Sequence, residues 1–523
     1  MKLLKNSYLL SILSGLLLFA AWPITGFAVF AFVGFVPLFF SLKNLVEQNK
    51  PGKFFLSTYL GILTWNLLCT WWISYASLEG ALLAFLANSL LMTMVFQIGF
   101  WYSRKTTVIK GVIFTGLLWL SFEYLHLNWE LTWPWLTLGN VFSESILWIQ
   151  WYEFTGVFGG SVWILFINTF VFYLLKNPEK QSKRNWAIVG LCVLFPIAIS
   201  LVIYSTYQFK GSDAKVQIIQ PNIDPYHDKF GGMSVEEQLN RMLALSQLES
   251  LNDVDLIVAP ETALPYTIWE HEMNENEQIN YLKKFSERNN VPILTGASTN
   301  FFYAVEKAPT FSARKLGNEQ GFYDSYNTAI LIDKTKSVDV YHKSKLVPGV
   351  ERIPFPGIFK YFEKYAIDLG GTTGSLGIQE EREVFKSSKA GIISAPIVCY
   401  ESIYGEYIGE YVKKGANLLC IITNDGWWED TPGYKQHLSY AKLRAIETRR
   451  DIARSANTGM SAFINQKGEI TYKSSWWVEA EKIQQVKLNN QLTFYTKHGD
   501  YLAIAAIFSA LIMLAMLFVW RKK

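Results

Sequence analysis

The sequence predicts two architectures in one chain: a bundle of eight membrane-spanning helices and an α/β layered domain. Three observations predict it. Seven long apolar runs crowd into the first 210 residues. The middle of the chain alternates short β-rich runs with amphipathic helices, and a last apolar run near 503–520 ends in Arg521-Lys522-Lys523. Half of the 523 residues are hydrophobic and the mean hydropathy is positive, which is unusual for a water-soluble chain of this length. The expected organisation is a seven-span region over 1–210, a globular domain over 211–490 and a closing anchor over 491–523.

A helix needs about 20 mostly apolar residues to cross a bilayer. Runs of that kind cover 7–22, 25–42, 54–75, 80–102, 108–126, 159–176, 186–206 and 500–520. A single run of this length also fits a buried core helix, but seven within 210 residues do not. The first run, preceded by Lys2 and Lys5, also fits a signal peptide, and its removal would leave the sidedness unchanged. Lys and Arg mark the cytoplasmic ends of short loops. They fall before the first span (Lys2, Lys5), between the second and third (Lys43, Lys50, Lys53), around the fourth-to-fifth connection (Arg104, Lys105, Lys110) and between the sixth and seventh (Lys176, Lys180, Lys183, Arg184). The alternate loops at 22–26, 76–80 and 128–159 contain neither residue. This asymmetry predicts an inner-membrane protein with both termini cytoplasmic and the globular domain on the periplasmic side.

The loop 128–159 carries Trp129, Trp133, Trp135, Trp148 and Trp151. Indole rings favour the headgroup region, so the loop reads either as an interfacial anchor or as the lining of a lipid route. Glu123 is the one acid well inside a span; helix packing and a functional role both fit it.

Composition excludes several classes. A formal net charge of +4 gives nucleic-acid binding no support. Four cysteines form no disulfide framework, and two of them, Cys69 and Cys192, lie in apolar runs. Neither HExxH nor CxxC occurs and the six histidines are scattered, so neither a metal site nor a cofactor is expected.

In the globular region, runs at 216–220, 256–259, 293–296, 328–332, 392–397 and 418–423 read as strands, mostly continuous and apolar as in sheets covered on both faces. Runs at 235–250 and 434–450 read as helices. Chemistry in such domains gathers at strand ends, where a rigid sheet positions the loops. Glu261 follows one strand, Lys343 follows the run 337–341, and Cys399 ends the run 392–398. Taken singly, each has a plain reading: a solvated loop acid, a surface lysine and a core thiol.

Their surroundings change that reading. Ala259-Pro260-Glu261-Thr262-Ala263-Leu264-Pro265, Tyr341-His342-Lys343-Ser344-Lys345-Leu346-Val347-Pro348 and Val398-Cys399-Tyr400-Glu401 occur in this order. They are followed by Asn424-Asp425-Gly426-Trp427-Trp428, Gln436-His437 and Arg444-Ala445-Ile446-Glu447. Together these stretches resemble the nitrilase (carbon–nitrogen hydrolase) superfamily over roughly half of the chain. The flanking spans, with Trp133-Pro134-Trp135-Leu136, narrow the resemblance to its membrane-bound branch, the apolipoprotein N-acyltransferases. The resemblance implies an αββα sandwich with Glu261 as general base, Lys343 as electrostatic stabiliser and Cys399 as nucleophile. It also implies supporting roles for Glu351, Tyr400, Glu401, Asn424 and Trp427, and substrate contacts for the segment around Phe230 and for Trp133 and Trp135. Two departures stand out. Phe230 occupies a place where the family pattern has tryptophan; the segment before Glu351 reads Gly349-Val350 rather than Phe-Gly, with an extra Lys345 two residues beyond Lys343 as the alternative triad lysine.

The implied reaction takes an acyl chain from a membrane phospholipid onto Cys399 and passes it to the N-terminal amine of a diacylglyceryl-cysteine apolipoprotein. A free thiol is only a few per cent ionised at neutral pH. Glu261 can take its proton during attack or hold it beforehand. A nearby ammonium that lowers the thiol pKa by two units supplies about 2.7 kcal/mol, and Lys343 fits that part. The same three residues with water as acceptor would make a membrane-anchored amidase or nitrilase. A transporter with an outer domain is the third reading, but beyond Glu123 the spans offer almost none of the interior charge it needs.

Overall fold

The computed structural model describes residues 6–24, 26–229, 231–317, 321–334, 337–355 and 375–520, apart from the side chains of Pro265 and 518–520. Two compact units emerge: Met1–Tyr207 with His498–Lys523, and Gln208–Lys497.

The first unit is helical. Among the described residues, six segments are long and apolar enough to cross a membrane: Ala28–Glu47, Pro51–Tyr75, Leu78–Lys105, Val108–Leu127, Tyr152–Lys176 and Lys183–Thr206. The expected count of eight is therefore not met at full length. Ser7–Ala21 has 15 residues, a rise of about 22 Å against a hydrocarbon core of about 30 Å. It stops where Trp22, extended at ψ 143°, precedes Pro23. The last apolar helix, Tyr501–Trp520, has 20 residues. The tryptophan-rich stretch 128–159 is built rather than loose, with 3₁₀ turns at Pro134–Leu136, Leu138–Glu144 and Ile146–Trp148. Glu123 organises it. Its carboxylate accepts from Trp119 Nε1 (2.9 Å), the Leu138 amide (2.7 Å) and Ser161 Oγ (2.7 Å), as the packing reading of this acid requires.

The second unit stacks two sheets between helices. Its strands are β1 (Ser212–Gln220), β2 (Leu256–Val258), β3 (Leu264–Trp269), β4 (Ile293–Tyr303), β5 (Arg314–Lys315), β6 (Phe322–Ile332) and β7 (Asp339–His342) in one sheet. The other holds β8 (Phe385–Lys386), β9 (Ile393–Val398), β10 (Leu418–Thr423), β11 (Ile452–Ala456), β12 (Ala462–Ile464) and β13 (Ile470–Lys473). β14 (Ala480–Leu488) crosses back to pair antiparallel with β1, giving the orders β14-β1-β2-β4-β6-β5 and β13-β12-β11-β10-β9-β8. β3 and β7 attach to β4 and β6. The sheets face each other with β1 against β11, and Ser455 Oγ donates across to the Ile219 carbonyl at 2.6 Å.

Helices close both outer faces. Val235–Ser246 and Glu277–Asn289 bury Leu239, Met242, Leu243, Ile279 and Leu282 against the first sheet. Gly405–Lys413 and Pro432–Thr448 cover the second. Local chemistry sets their ends: a reciprocal Ser234–Glu237 capping box opens the first, and Thr431 with Pro432 opens the last. The central strands β2, β9 and β10 are buried nearly throughout, as their unbroken apolar sequences require.

Candidate active site

Three strand ends of the second unit build the site. Glu261 lies two residues past Ala259, whose amide bonds to the Leu294 carbonyl of β4. The chain then turns sharply at Thr262, φ 46°. Gly296 makes this turn possible: a Cβ there would meet the Thr262 nitrogen at 2.4 Å and Glu261 Cα at 2.7 Å. Lys343 follows β7, its amide held by the Asn327 carbonyl at 2.8 Å. Cys399 begins a 3₁₀ turn directly after β9, with a left-handed φ of 51°. Such a conformation costs a β-carbon-bearing residue about 1–3 kcal/mol and persists only where the surroundings enforce it.

The polar groups converge. Lys343 Nζ lies 3.3 Å from Glu261 Oε1 and 2.8 Å from Glu351 Oε1, with 1% of the lysine side chain exposed. Asn327 Nδ2 donates to the same two oxygens at 2.7 and 3.2 Å, so one ammonium and one amide hold the two carboxylates together. Glu351 is fixed in turn by the Val347 amide at 2.8 Å. Burial alone would lower the Lys343 pKa, but Glu351 and then Glu261 hold it well above the ordinary value, so the ammonium stays charged.

The Cys399 thiol is within electrostatic reach of Glu261, Lys343 and Asp425. Burial, and then the Glu261 carboxylate, push it well above the usual thiol range, and the opposing effect of Lys343 does not overcome them. The lowering expected from the ammonium is present at Cys399 but is outweighed by these two raising effects. Among the two routes open for the proton, removal during attack fits this resting state.

Glu401 ties the pieces together. Fully buried, it accepts from the Val398 amide (2.9 Å), the Ser344 amide (2.8 Å), the Tyr341 hydroxyl (2.8 Å) and the Tyr407 hydroxyl (2.5 Å), so one carboxylate links the turn holding Cys399 to the segment holding Lys343. Lys345 goes elsewhere: its Nζ lies 4.8 Å from the Tyr404 ring centroid, so Lys343 is the lysine that meets Glu261. Tyr400 is buried edge-to-face against Tyr404. Asn424 Oδ1 accepts from Thr458 Oγ1 at 3.1 Å, and Trp427 stacks edge-on with Tyr226 at 5.2 Å. Phe230 lies outside the described residues. Trp133 and Trp135 belong to the helical unit, where Trp135 is buried edge-to-face on Trp72 at 4.8 Å and the Trp133 amide donates to the His126 carbonyl.

Sequence reasoning missed two partners of Glu261. Asn327 was hidden inside β6, and Lys229 is a buried lysine whose Nζ bonds Thr262 Oγ1 and lies 3.4 Å from the Glu261 carbonyl. Burial brings the Lys229 pKa down to about 8. Donor atoms of Cys399, Asp425 and His437 also lie within 4.8 Å of one another. Asp425 is already paired with Arg454 at 2.5 Å and both His437 nitrogens face hydrogen-bonding groups, so a cation would have to displace an existing guanidinium.

A half-buried cysteine on a strained strand-end turn, within electrostatic reach of a Glu–Lys–Glu cluster in a two-sheet α/β unit, is the arrangement expected of a thiol-using enzyme domain. Residues 215–493 match the family model described as carbon-nitrogen hydrolase, and the chain belongs to that family. Residues 14–170 match the apolipoprotein N-acyltransferase N-terminal domain, which assigns the chain to the membrane-bound branch. It is 29% identical over 511 residues to an apolipoprotein N-acyltransferase of Chlorobaculum tepidum, covering 95% of this chain and 94% of that one. A second, from Geobacter metallireducens, is 26% identical over 544 residues, covering 99% and 96%. Among solved structures, an amidase from Nesterenkonia AN1 in the nitrilase superfamily aligns with 55% of this chain and 94% of its own, at 16% identity and a TM-score of 0.36.

Proposed function

We propose that this protein transfers an acyl chain from a membrane phospholipid, through a thioester on Cys399, to the free α-amine of a diacylglyceryl-cysteine apolipoprotein. The single observation that carries the reading is the joining of Glu261 and Glu351 around the Lys343 ammonium, within electrostatic reach of the half-buried Cys399 thiol, in a chain that also carries apolar helices long enough to cross a membrane. Glu261 takes the thiol proton as Cys399 Sγ attacks the ester carbonyl. The oxyanion that forms is stabilised by Lys343 and by the Tyr400 N–H; one such donor is worth about 100-fold or more in rate. The C–O bond then breaks, the lyso-phospholipid alkoxide takes the proton from Glu261, and a thioester remains. In the second half the amine attacks that thioester, the C–S bond breaks, and Glu261 carries a proton from the amine to the departing thiolate. Glu351 keeps Lys343 charged throughout, and Glu401, Tyr400, Asn424 and Trp427 support the walls of the site.

Both substrates are lipids, which accounts for a catalytic unit joined at each of its chain ends to apolar helices. The reading includes the helices Ser7–Ala21 and Tyr501–Trp520 as the first and eighth spans of an inner-membrane protein, both termini cytoplasmic, and residues 211–490 as its periplasmic domain. Trp133, Trp135 and Phe230 remain its proposed lipid contacts.

Purified protein supplied with a phospholipid and a diacylglyceryl peptide should yield the triacylated peptide and lyso-phospholipid in equal amounts, read by mass spectrometry. Cys399→Ser should abolish both products without loss of fold, whereas Cys420→Ala, which alters a buried thiol in β10, should remain active. Ammonia release from small amides without peptide acylation would instead mark a hydrolase.

A further inference from the structure

Behind Cys399, on the second sheet, lies a buried polar chain that the triad does not use. Arg454 Nη2 donates to Asp425 Oδ2 at 2.5 Å, and Asp425 Oδ1 lies 3.0 Å from His437 Nδ1. Thr423 Oγ1 also donates to Asp425 Oδ1, at 2.8 Å. On the other side of the ring, His437 Nε2 is 3.1 Å from the Cys399 carbonyl oxygen and 2.9 Å from Ser402 Oγ, which itself donates to that carbonyl at 2.8 Å. Trp428 closes the edge of the imidazole at 5.7 Å. His437, Asp425 and Arg454 are all essentially inaccessible to solvent.

The partners fix where the imidazole hydrogen sits. A carbonyl only accepts, and the Ser402 hydrogen is already committed to that carbonyl, so Nε2 faces acceptors on both contacts. Nε2 therefore bears a hydrogen. Nδ1, with a carboxylate at 3.0 Å and the Arg454 guanidinium at 3.3 Å, is accommodated whether or not it also carries one. The consequence at Cys399 is geometric. A trans peptide unit is planar, with its C=O and N–H directed oppositely. Holding the Cys399 oxygen by two hydrogens therefore fixes the direction of the Tyr400 N–H, and it also holds the cysteine at its φ of 51°.

We infer that His437, anchored by Asp425 and Arg454, is a positioning residue that orients the Cys399–Tyr400 peptide so that the Tyr400 N–H points at the forming oxyanion. This inference rests on Cys399 being the nucleophile. It separates two properties usually lost together: thiol reactivity, which alkylation reads and which forms no oxyanion, and acylation, which does.

The test compares three variants of the full-length protein with the parent, in detergent, using a phospholipid donor alone. Acylation of Cys399 is followed by intact mass and peptide mapping, and thiol reactivity by iodoacetamide alkylation. His437→Leu should slow acylation by about 100-fold at unchanged donor KM, with alkylation altered by less than about threefold. His437→Gln, which returns an N–H near the Nε2 position, should recover a large part of the lost rate. Acylation of His437→Leu at the parental rate overturns the inference, as does a loss of alkylation equal to the loss of acylation. If His437→Leu does not fold, Ser402→Ala decides: removing one of the two hydrogens should slow acylation by about tenfold with alkylation unchanged, and parental acylation would contradict it. Mapping of the acyl group in the parent to a residue other than Cys399 would instead defeat the underlying nucleophile assignment, an outcome distinct from these.

Discussion

Cys399 combines a strained backbone with a thiol that its surroundings keep protonated. The desolvation and the Glu261 charge that raise its pKa both disfavour a resting thiolate, which fits removal of the proton during attack. The pH dependence follows from that sign. A raised folded-state pKa leaves the neutral form populated through the physiological range, and the thiolate fraction keeps increasing with pH. The iodoacetamide rate at Cys399 should therefore climb continuously between about pH 6 and 9. A plateau beginning below neutral pH would reveal a preformed thiolate and contradict this account. At this scale the sequence was informative where motifs surround the residue: the segments around Glu261, Lys343, Glu351 and Cys399 identify positions that the fold brings together or within electrostatic reach. It was silent on Asn327 and Lys229, because a lone amide inside a strand and a lone lysine in a loop carry no local mark of what they meet across the sheet. The net direction of the thiol shift was also hidden, since it depends on how burial and two opposite charges balance in three dimensions.

Elements position these residues through close backbone contact. The turn after β2 that presents Glu261 lies directly on β4 at Gly296, where even a methyl group has no room. Gly296→Ala should displace that turn, lowering stability by about 1–3 kcal/mol and reducing kcat more than KM, measured by thermal unfolding alongside peptide acylation. Unchanged kcat would show that the approach is not needed to aim Glu261. Strands β2, β9 and β10 were readable because both faces are covered and their sequences are continuously apolar. By contrast, β14, with the sequence Ala-Glu-Lys-Ile-Gln-Gln-Val-Lys-Leu, is mostly half-buried and mixes polar with apolar residues. β3 contains a proline. Neither gives the periodic signal on which a strand assignment depends. The 128–159 stretch was legible as aromatic but not as folded, because its order comes from 3₁₀ turns and from Glu123 reaching across to Leu138 and Ser161.

For the whole molecule, the distribution of charge along the chain carries more information than its sum. A net +4 says little, whereas the confinement of Lys and Arg to alternate loops predicts a sidedness. A cysteine introduced as Lys307→Cys in the catalytic unit should react with a membrane-impermeant maleimide in intact spheroplasts, while Gln181→Cys in the loop before Lys183–Thr206 should react only after permeabilisation. The reverse pattern would invert the topology. The number of spans was the least legible whole-molecule feature: hydropathy counted eight, whereas six helices among the described residues are long and apolar enough to cross a membrane. The claim on which everything depends is the covalent intermediate, and it can be weighed directly. Protein incubated with a phospholipid of one acyl-chain type should gain the mass of a single acyl group, mapped to Cys399, cleaved by hydroxylamine and discharged by a diacylglyceryl peptide with a free amine but not by one whose amine is blocked. No adduct on Cys399 during active turnover, or an adduct that the free amine cannot discharge, would contradict the account.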